Sequence, residues 1–272
     1  MYVLFKHKRY NTGMYIGVDI GGSKILVVGG NSKYEILRHE KIKTPETSSQ
    51  GVIEIIHLIE RVAGDDDIKS IYVASPGPLD REKGQILKTP NMTWEPVAIV
   101  SKLKNHFKVP VGLEKDANAA ALSEAIIGAA KGEENVLYVT VSTGVGTGII
   151  INGEIYHGAH DPEGGHMLIH AEKKNEELEK ATSGKAIKRR FGLYGYEIKD
   201  ANTWDQFAYD LAVGFHNLIQ TVSPNIVILG GGVGVHFKKF ERFLFAHLEE
   251  LNPTYHTPPI KPAKNMETCV AY

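Results

Sequence analysis

One arrangement occurs twice in this chain: a strand ending on a polar residue, a glycine-rich turn, and a return strand. In the first copy the strand covers residues 15–19 and ends at Asp19. The turn Gly21-Gly22-Ser23-Lys24 and a return strand over 25–28 follow. In the second copy the strand covers 135–142, the turn is Thr143-Gly144-Val145-Gly146-Thr147-Gly148, and the return strand covers 149–151. Two strands joined by a glycine turn form a hairpin, so each sheet begins antiparallel. Helices and further strands come after each copy. The pattern predicts an α/β chain of two related halves, residues 14–116 and 117–272, facing each other across a cleft. Such clefts are where ligands usually bind.

The remaining elements follow from periodicity and punctuation. Residues 34–43 suit a third strand. Thr44-Pro45-Glu46 opens a helix over 51–63, whose Val52, Ile55, Ile56, Ile59 and Val62 share one face. A strand over 68–74 ends at the forced turn Ser75-Pro76-Gly77-Pro78. Residues 79–94, with Asn91 and Trp94, read as a long loop, and 97–107 as a helix. A short strand, 109–113, runs into Glu114-Lys115-Asp116 and an alanine-rich helix through Ala130. Later come a type I′ turn at Asn152-Gly153, helical pieces over 175–192 and a long helix over 204–222. A buried-type strand over 225–229 then leads to Gly230-Gly231-Gly232 and a helix over 237–251.

Composition excludes several classes. The 272 residues carry a formal net charge of −1 and no long basic run, which argues against a nucleic-acid partner. No apolar run reaches the roughly 18 residues that a membrane span needs. The opening residues do not have the build of a signal peptide, and Met14 is the more natural start of the fold. The single cysteine, Cys269, cannot form an internal disulfide or a cysteine metal site, and this suits a reducing cytoplasm.

Several groups have the chemistry for a site. Asp116 sits at a strand-to-helix corner, where free backbone N–H groups and the helix dipole favour a carboxylate. There it can cap the helix, take a proton from a bound hydroxyl, or do both. Asp19 precedes a turn whose bare N–H groups can hold phosphate oxygens, and it could hold Mg²⁺ directly or through water. The same residues also suit an ordinary hairpin. The second turn lacks both the Walker A ending and the last Rossmann glycine. Its Gly144, Gly146 and Gly148, with the Thr143 hydroxyl, exceed what a two-residue turn needs and point to phosphate contact. Gly230, Gly231 and Gly232 allow either a nucleoside or a packed helix to come close. Glu163, His166 and Glu179 are good partners for several sugar hydroxyls at once.

These motifs occur together, in order: Asp19-x-Gly-Gly-Ser-Lys24, Ser75-Pro-Gly-Pro78, Asp116-Ala-Asn-Ala-Ala-Ala121, Ser142-Thr-Gly-x-Gly-Thr-Gly148, Glu163-Gly-Gly-His-Met167, Glu179-x-x-x-Ser-Gly184 and Leu229-Gly-Gly-Gly232. In this order they resemble the ROK family of sugar kinases and repressors, from about Met14 to the end. The resemblance implies a two-lobed actin-like ATPase (ribonuclease H-like) fold, with mixed sheets flanked by helices around a central cleft. It implies transfer of the ATP γ-phosphoryl group to a hexose or hexose derivative, with Mg²⁺, in a cytoplasmic enzyme that is often a homodimer. Asp116 matches the general base. Asp19, Gly21, Gly22, Ser23 and Lys24 match the first phosphate motif. Thr143, Gly144, Gly146 and Gly148 match the second, and Gly230 to Gly232 match the adenosine motif. Glu163, His166 and Glu179 match the sugar-holding residues, and Asn91 lies in a loop that often faces the sugar.

The chain departs from the family pattern in three ways. Lys115 stands where the family has Asn before the catalytic Asp, so either it turns away or the preferred sugar differs. Many members carry a His-plus-three-Cys zinc site between the positions of His166 and Glu179, but no cysteine stands there, which predicts no structural zinc. Residues 263–272 would be only the start of the helix with which relatives continue. The alternative is a non-catalytic or sugar-sensing ROK-type regulator. Repressor members carry an N-terminal helix-turn-helix domain, and 13 residues before Met14 are too few for one.

Overall fold

A computed structural model describes residues 13–89, 92–171 and 174–264. Asn91 and residues 265–272 lie outside the described residues. The chain forms two compact units that meet in sequence between Asp116 and Ala117.

The first unit contains β1 (Met14–Ile20), β2 (Lys24–Gly30), β3 (Ile36–Lys43), α1 (Ser48–Ala63), β4 (Ile68–Ser75), β5 (Leu79–Asp80), β6 (Gln85–Ile86), α2 (Ile99–Phe107) and β7 (Val111–Lys115). Its sheet has the order β3-β2-β1-β4-β7. The β1–β2 and β2–β3 pairs are antiparallel, and β1–β4 and β4–β7 are parallel. Helix α1 starts later than Pro45 suggests, because the Thr47 side chain caps it by accepting the Gln50 N–H. Ile55, Leu58 and Ile59 of α1 are buried with Ile16, Val18 and Val27 of the sheet. Trp94 completes this core. Its indole N–H donates to the Pro45 carbonyl at 2.7 Å, and it packs so close to Gly51 that a Cβ there would lie 2.1 Å from the ring. The stretch after Pro78 is more ordered than a loop, since β5 and β6 pair as a small hairpin.

The second unit runs on with α3, which begins at Asp116 itself (Asp116–Ile126), then β8 (Val136–Val141), β9 (Val145–Ile151), β10 (Glu154–Ile155), β11 (Leu168–Ala171), β12 (Lys174–Glu177), α4 (Leu178–Thr182), α5 (Gly184–Phe191), α6 (Ala201–Val222), β13 (Ile226–Gly230), α7 (Gly231–Gly234), α8 (Phe237–Leu251) and β14 (Ile260–Pro262). Its main sheet has the order β10-β9-β8-β13-β14. Again two antiparallel pairs are followed by two parallel ones. The repeat in the sequence is therefore a repeat of topology.

Side chains alternate across this second sheet. Leu137, Val139 and Val141 are buried with Phe207, Phe215 and Phe240 of α6 and α8. Tyr138 and Ile150 are buried with Ala117, Ala120 and Ala121 of α3. Glu124 of α3 is fully buried and accepts the Ala129 N–H at 2.6 Å and the Lys264 N–H at 3.0 Å. Among the described residues, no helix is long and apolar enough to cross a membrane.

Candidate active site

In the first unit the parallel strands end together. Asp19 of β1 is in register with Ala74 of β4, and Ala74 with Glu114 of β7. Asp116 follows two residues later, in the first turn of α3. The two carboxylates thus stand at the C-terminal ends of β1 and β7 with one strand between, the end of an α/β sheet that usually meets ligands. Burial, and then the Asp116 charge, push the Asp19 carboxyl up from 3.8 to about 7, while Lys24 pulls the other way. The hard oxygen donors of such a carboxyl pair suit Mg²⁺.

The turn after Asp19 is stapled from behind. Thr44 Oγ1 donates to the Gly21 carbonyl at 2.6 Å, and Thr44 N–H donates to the Ser23 carbonyl at 3.1 Å. Gly22 and Ser23 stay exposed, while Lys24 already belongs to β2. Lys115 is 4% exposed, so it does not turn out to solvent. Its N–H donates to Glu114 Oε1 at 2.7 Å, and the buried Glu114 carboxylate pairs with Arg81.

The second glycine-rich stretch is only partly a turn. The turn is Ser142-Thr143-Gly144, and Gly146 and Gly148 lie inside β9. A Cβ on Gly148 would lie 2.1 Å from the Ala117 carbonyl oxygen and 2.9 Å from the Ala121 Cβ. One on Gly146 would lie 3.6 Å from the Ala117 Cβ. Gly148 makes room for the alanine face of α3, Gly146 is tightest against Thr140 Cγ2 at 3.2 Å, and both lie in a strand rather than in the turn. Gly144 does lie in the turn, and a Cβ there would come 2.3 Å from Glu179 Oε2. That same oxygen accepts the Val145 N–H at 2.8 Å.

Val145 also organises the loop before β11. A Cβ on Gly165 would lie 2.0 Å from the Val145 carbonyl oxygen, so only glycine lets the loop settle on β9. Thr147, fully buried, donates to the Pro162 carbonyl at 3.1 Å and accepts the Gly164 N–H at 3.0 Å. Glu163 sits between those two contacts and is exposed. His166 closes the 3-10 turn Gly164–His166, and its Nδ1 meets Glu177 Oε2 at 3.2 Å. His166 and Lys180 hold the Glu177 carboxyl below the usual range. Leu178 N–H donates to the Met167 carbonyl at 2.9 Å, which ties this loop to the start of α4. The structure thus gathers Glu163, His166, Glu179 and the Gly144 turn around β9. Asn118, which the motif reading left without a role, is fully buried and donates to Asp161 Oδ1 at 3.0 Å.

The three glycines after β13 differ in kind. A Cβ on Gly230 would lie 2.1 Å from the Tyr138 hydroxyl. One on Gly231, whose φ is +83°, would lie 2.4 Å from the Val141 carbonyl oxygen. Those two serve packing and backbone geometry. Gly232 has room for a Cβ, which would meet no neighbouring group within 4 Å. It lines a cavity of about 600 Å³ together with Thr143, Lys185, Lys188, Tyr194, Tyr196 and His236. Burial and the neighbouring Lys239 lower the pKa of His236. Lys185, Lys188 and both tyrosines carry no site motif in the sequence; the single Tyr194-Gly195-Tyr196 was the available signal.

The profile of the ROK family matches residues 15–263. The chain belongs to the ROK family, and its fold is the mixed α/β fold of the actin-like ATPases. It is similar to the fructokinase of Zymomonas mobilis, with 32% identity over 242 residues, covering 81% of this chain and 80% of that one. It is also similar to the xylose repressor of Bacillus subtilis, with 28% identity, covering 86% of this chain and 67% of the repressor. Among solved structures, the ROK hexokinase of Thermus thermophilus superposes with a TM-score of 0.82 at 27% identity, over 95% of each chain.

Proposed function

We propose that this protein is a sugar kinase that transfers the γ-phosphoryl group of ATP to a hydroxyl of a hexose or hexose derivative. The observation that carries the reading is Asp116, a carboxylate in the first turn of α3, beside Asp19 at the ends of parallel strands. The likeness to a fructokinase and a ROK hexokinase supports the substrate class.

In this reading Asp116 accepts the proton of the attacking hydroxyl. The helix N-terminus favours its ionised form. The hydroxyl oxygen bonds to the γ-phosphorus as the bond to the β,γ-bridging oxygen breaks. ADP leaves with that electron pair. The chain's contribution is positioning and charge neutralisation, which is most of what phosphoryl transfer asks of a protein. The first turn, the Gly144 turn and Gly232 take the nucleotide. Asp19 would hold Mg²⁺, which would supply charge neutralisation to the phosphates. Glu163, His166 and the Oε1 atom of Glu179 take sugar hydroxyls, and Lys115 offers donors only where an Asn would also accept.

A coupled ADP-release assay over hexoses and amino sugars tests this. Turnover with at least one sugar is expected, and Lys115→Asn is expected to change which sugar is preferred. The likeness to a xylose repressor favours a second reading, sugar sensing without catalysis. Sugar binding with no ATP consumption on any sugar would select it.

A further inference from the structure

Tyr194 and Tyr196 stack on each other with ring centroids 5.6 Å apart and planes within 6°. Both are open to solvent, at 48% and 67%. A large apolar face left exposed in a rigid setting calls for an explanation. The setting here is rigid. Tyr194 N–H donates to Glu197 Oε2 at 2.6 Å, and Glu197 N–H returns to the Tyr194 carbonyl at 2.8 Å. Gly195, between the rings, passes His236 so closely that a Cβ would lie 3.3 Å from the imidazole. The Lys188 ammonium sits 4.2 Å from the centre of the Tyr194 ring. Helix α5, which carries Lys188, is tied to α6 by the buried Arg190–Asp210 ion pair at 2.7 Å.

The stack borders the cavity that Gly232 leaves open. Its wall is cationic and aromatic. Among the described residues that line it, none is Asp, Glu, Asn or Gln. Those are the side chains that best read the hydrogen-bonding edge of one base against another, by pairing donors with acceptors. A π-face accepts any base, and a larger ring system gains more from it.

We propose that the Tyr194–Tyr196 stack is the nucleobase platform of the phosphoryl donor, and that it selects by ring area rather than by base edge. Lys185 then faces the anionic end of the donor, and purine triphosphates are accepted alike. The proposal rests on the kinase reading above.

The test is calorimetric titration of the purified full chain with ATP, GTP, CTP, UTP and inorganic tripolyphosphate. The variants are Tyr196→Ala and Tyr196→Phe. Tyr196 is exposed, so its truncation should spare the fold. Wild type should bind ATP and GTP within about threefold of each other, and CTP and UTP about tenfold more weakly. Tyr196→Ala should weaken ATP and GTP by about tenfold and narrow the gap to the pyrimidines. Tyr196→Phe should behave as wild type. Tripolyphosphate, which has no base, should bind all three proteins equally. The platform is overturned if Tyr196→Ala keeps the wild-type affinity for ATP. It is equally overturned if tripolyphosphate weakens in step with ATP, or if wild type prefers ATP to GTP by about a hundredfold. Each of those leaves the kinase reading standing. Failure of wild type to bind any triphosphate sinks both.

Discussion

Glu179 Oε2 accepts the Val145 N–H at 2.8 Å, and it fills the space that a side chain on Gly144 would need. One carboxylate of the proposed sugar-holding set therefore shapes the turn proposed to meet phosphate. Glu179→Ala leaves the Val145 N–H without its acceptor, at a cost of about 1–3 kcal/mol. The expected result is a lower thermal midpoint together with a raised KM for ATP. Glu179→Gln still offers one acceptor oxygen and should retain more of both. Steady-state kinetics and thermal unfolding on the two variants decide the matter. An unchanged KM for ATP in Glu179→Ala would show that the contact does not shape the turn.

Asp116→Asn keeps the helix start and its volume but cannot accept the hydroxyl proton. Loss of general-base help should lower kcat by about 10²–10⁴-fold. Circular dichroism should match wild type, and the unfolding midpoint should not fall, because the variant also removes the charge that crowds Asp19. Full turnover in this variant would place the base elsewhere.

Asp19 makes stability depend on pH in an unusual direction. Its carboxyl lies near 7 in the folded chain against 3.8 unfolded, so between those values the folded state binds more protons. Stability contributed by this group is therefore greatest below about pH 4. It declines as pH rises towards 7 and is level above that. The loss is on the order of 2–4 kcal/mol. Urea unfolding in EDTA at pH 5 and pH 8 should show the decline, on top of whatever other groups contribute. Asp19→Asn should flatten the slope and stabilise the protein at pH 8. Identical slopes in variant and wild type would refute it.

Glu124 uses its two carboxylate oxygens on two different backbone N–H groups, those of Ala129 and Lys264. An amide offers only one oxygen. Glu124→Gln should therefore destabilise by roughly 1–3 kcal/mol although it keeps shape and size, and Glu124→Ala by more. Denaturant midpoints for the two variants check the ranking.

Much of this was legible in the primary structure. Asp19 and Asp116 could be placed because local signals, a strand end before glycine and a strand end before an alanine run, set their positions. Glycine was the ambiguous letter. At Gly144 it makes a turn, at Gly148 it admits Ala117 and Ala121, and only the partner distinguishes the two uses. The β11–β12 hairpin has too few apolar residues to announce itself as strands. Tyr194 and Tyr196 read as ordinary loop aromatics, since nothing local reveals that α5 and His236 hold them side by side at a cavity.

Thr147 shows how narrowly such a scaffold separates folding from recognition. Its hydroxyl clasps the peptide on both sides of Glu163. Valine has nearly the same outline and would fill the same hole in the sheet, yet it would let that clasp go. A lineage crossing that one-atom step would leave the Pro162 carbonyl and the Gly164 N–H one partner short each, at a cost of about 1–3 kcal/mol, and would slacken the loop that carries Glu163.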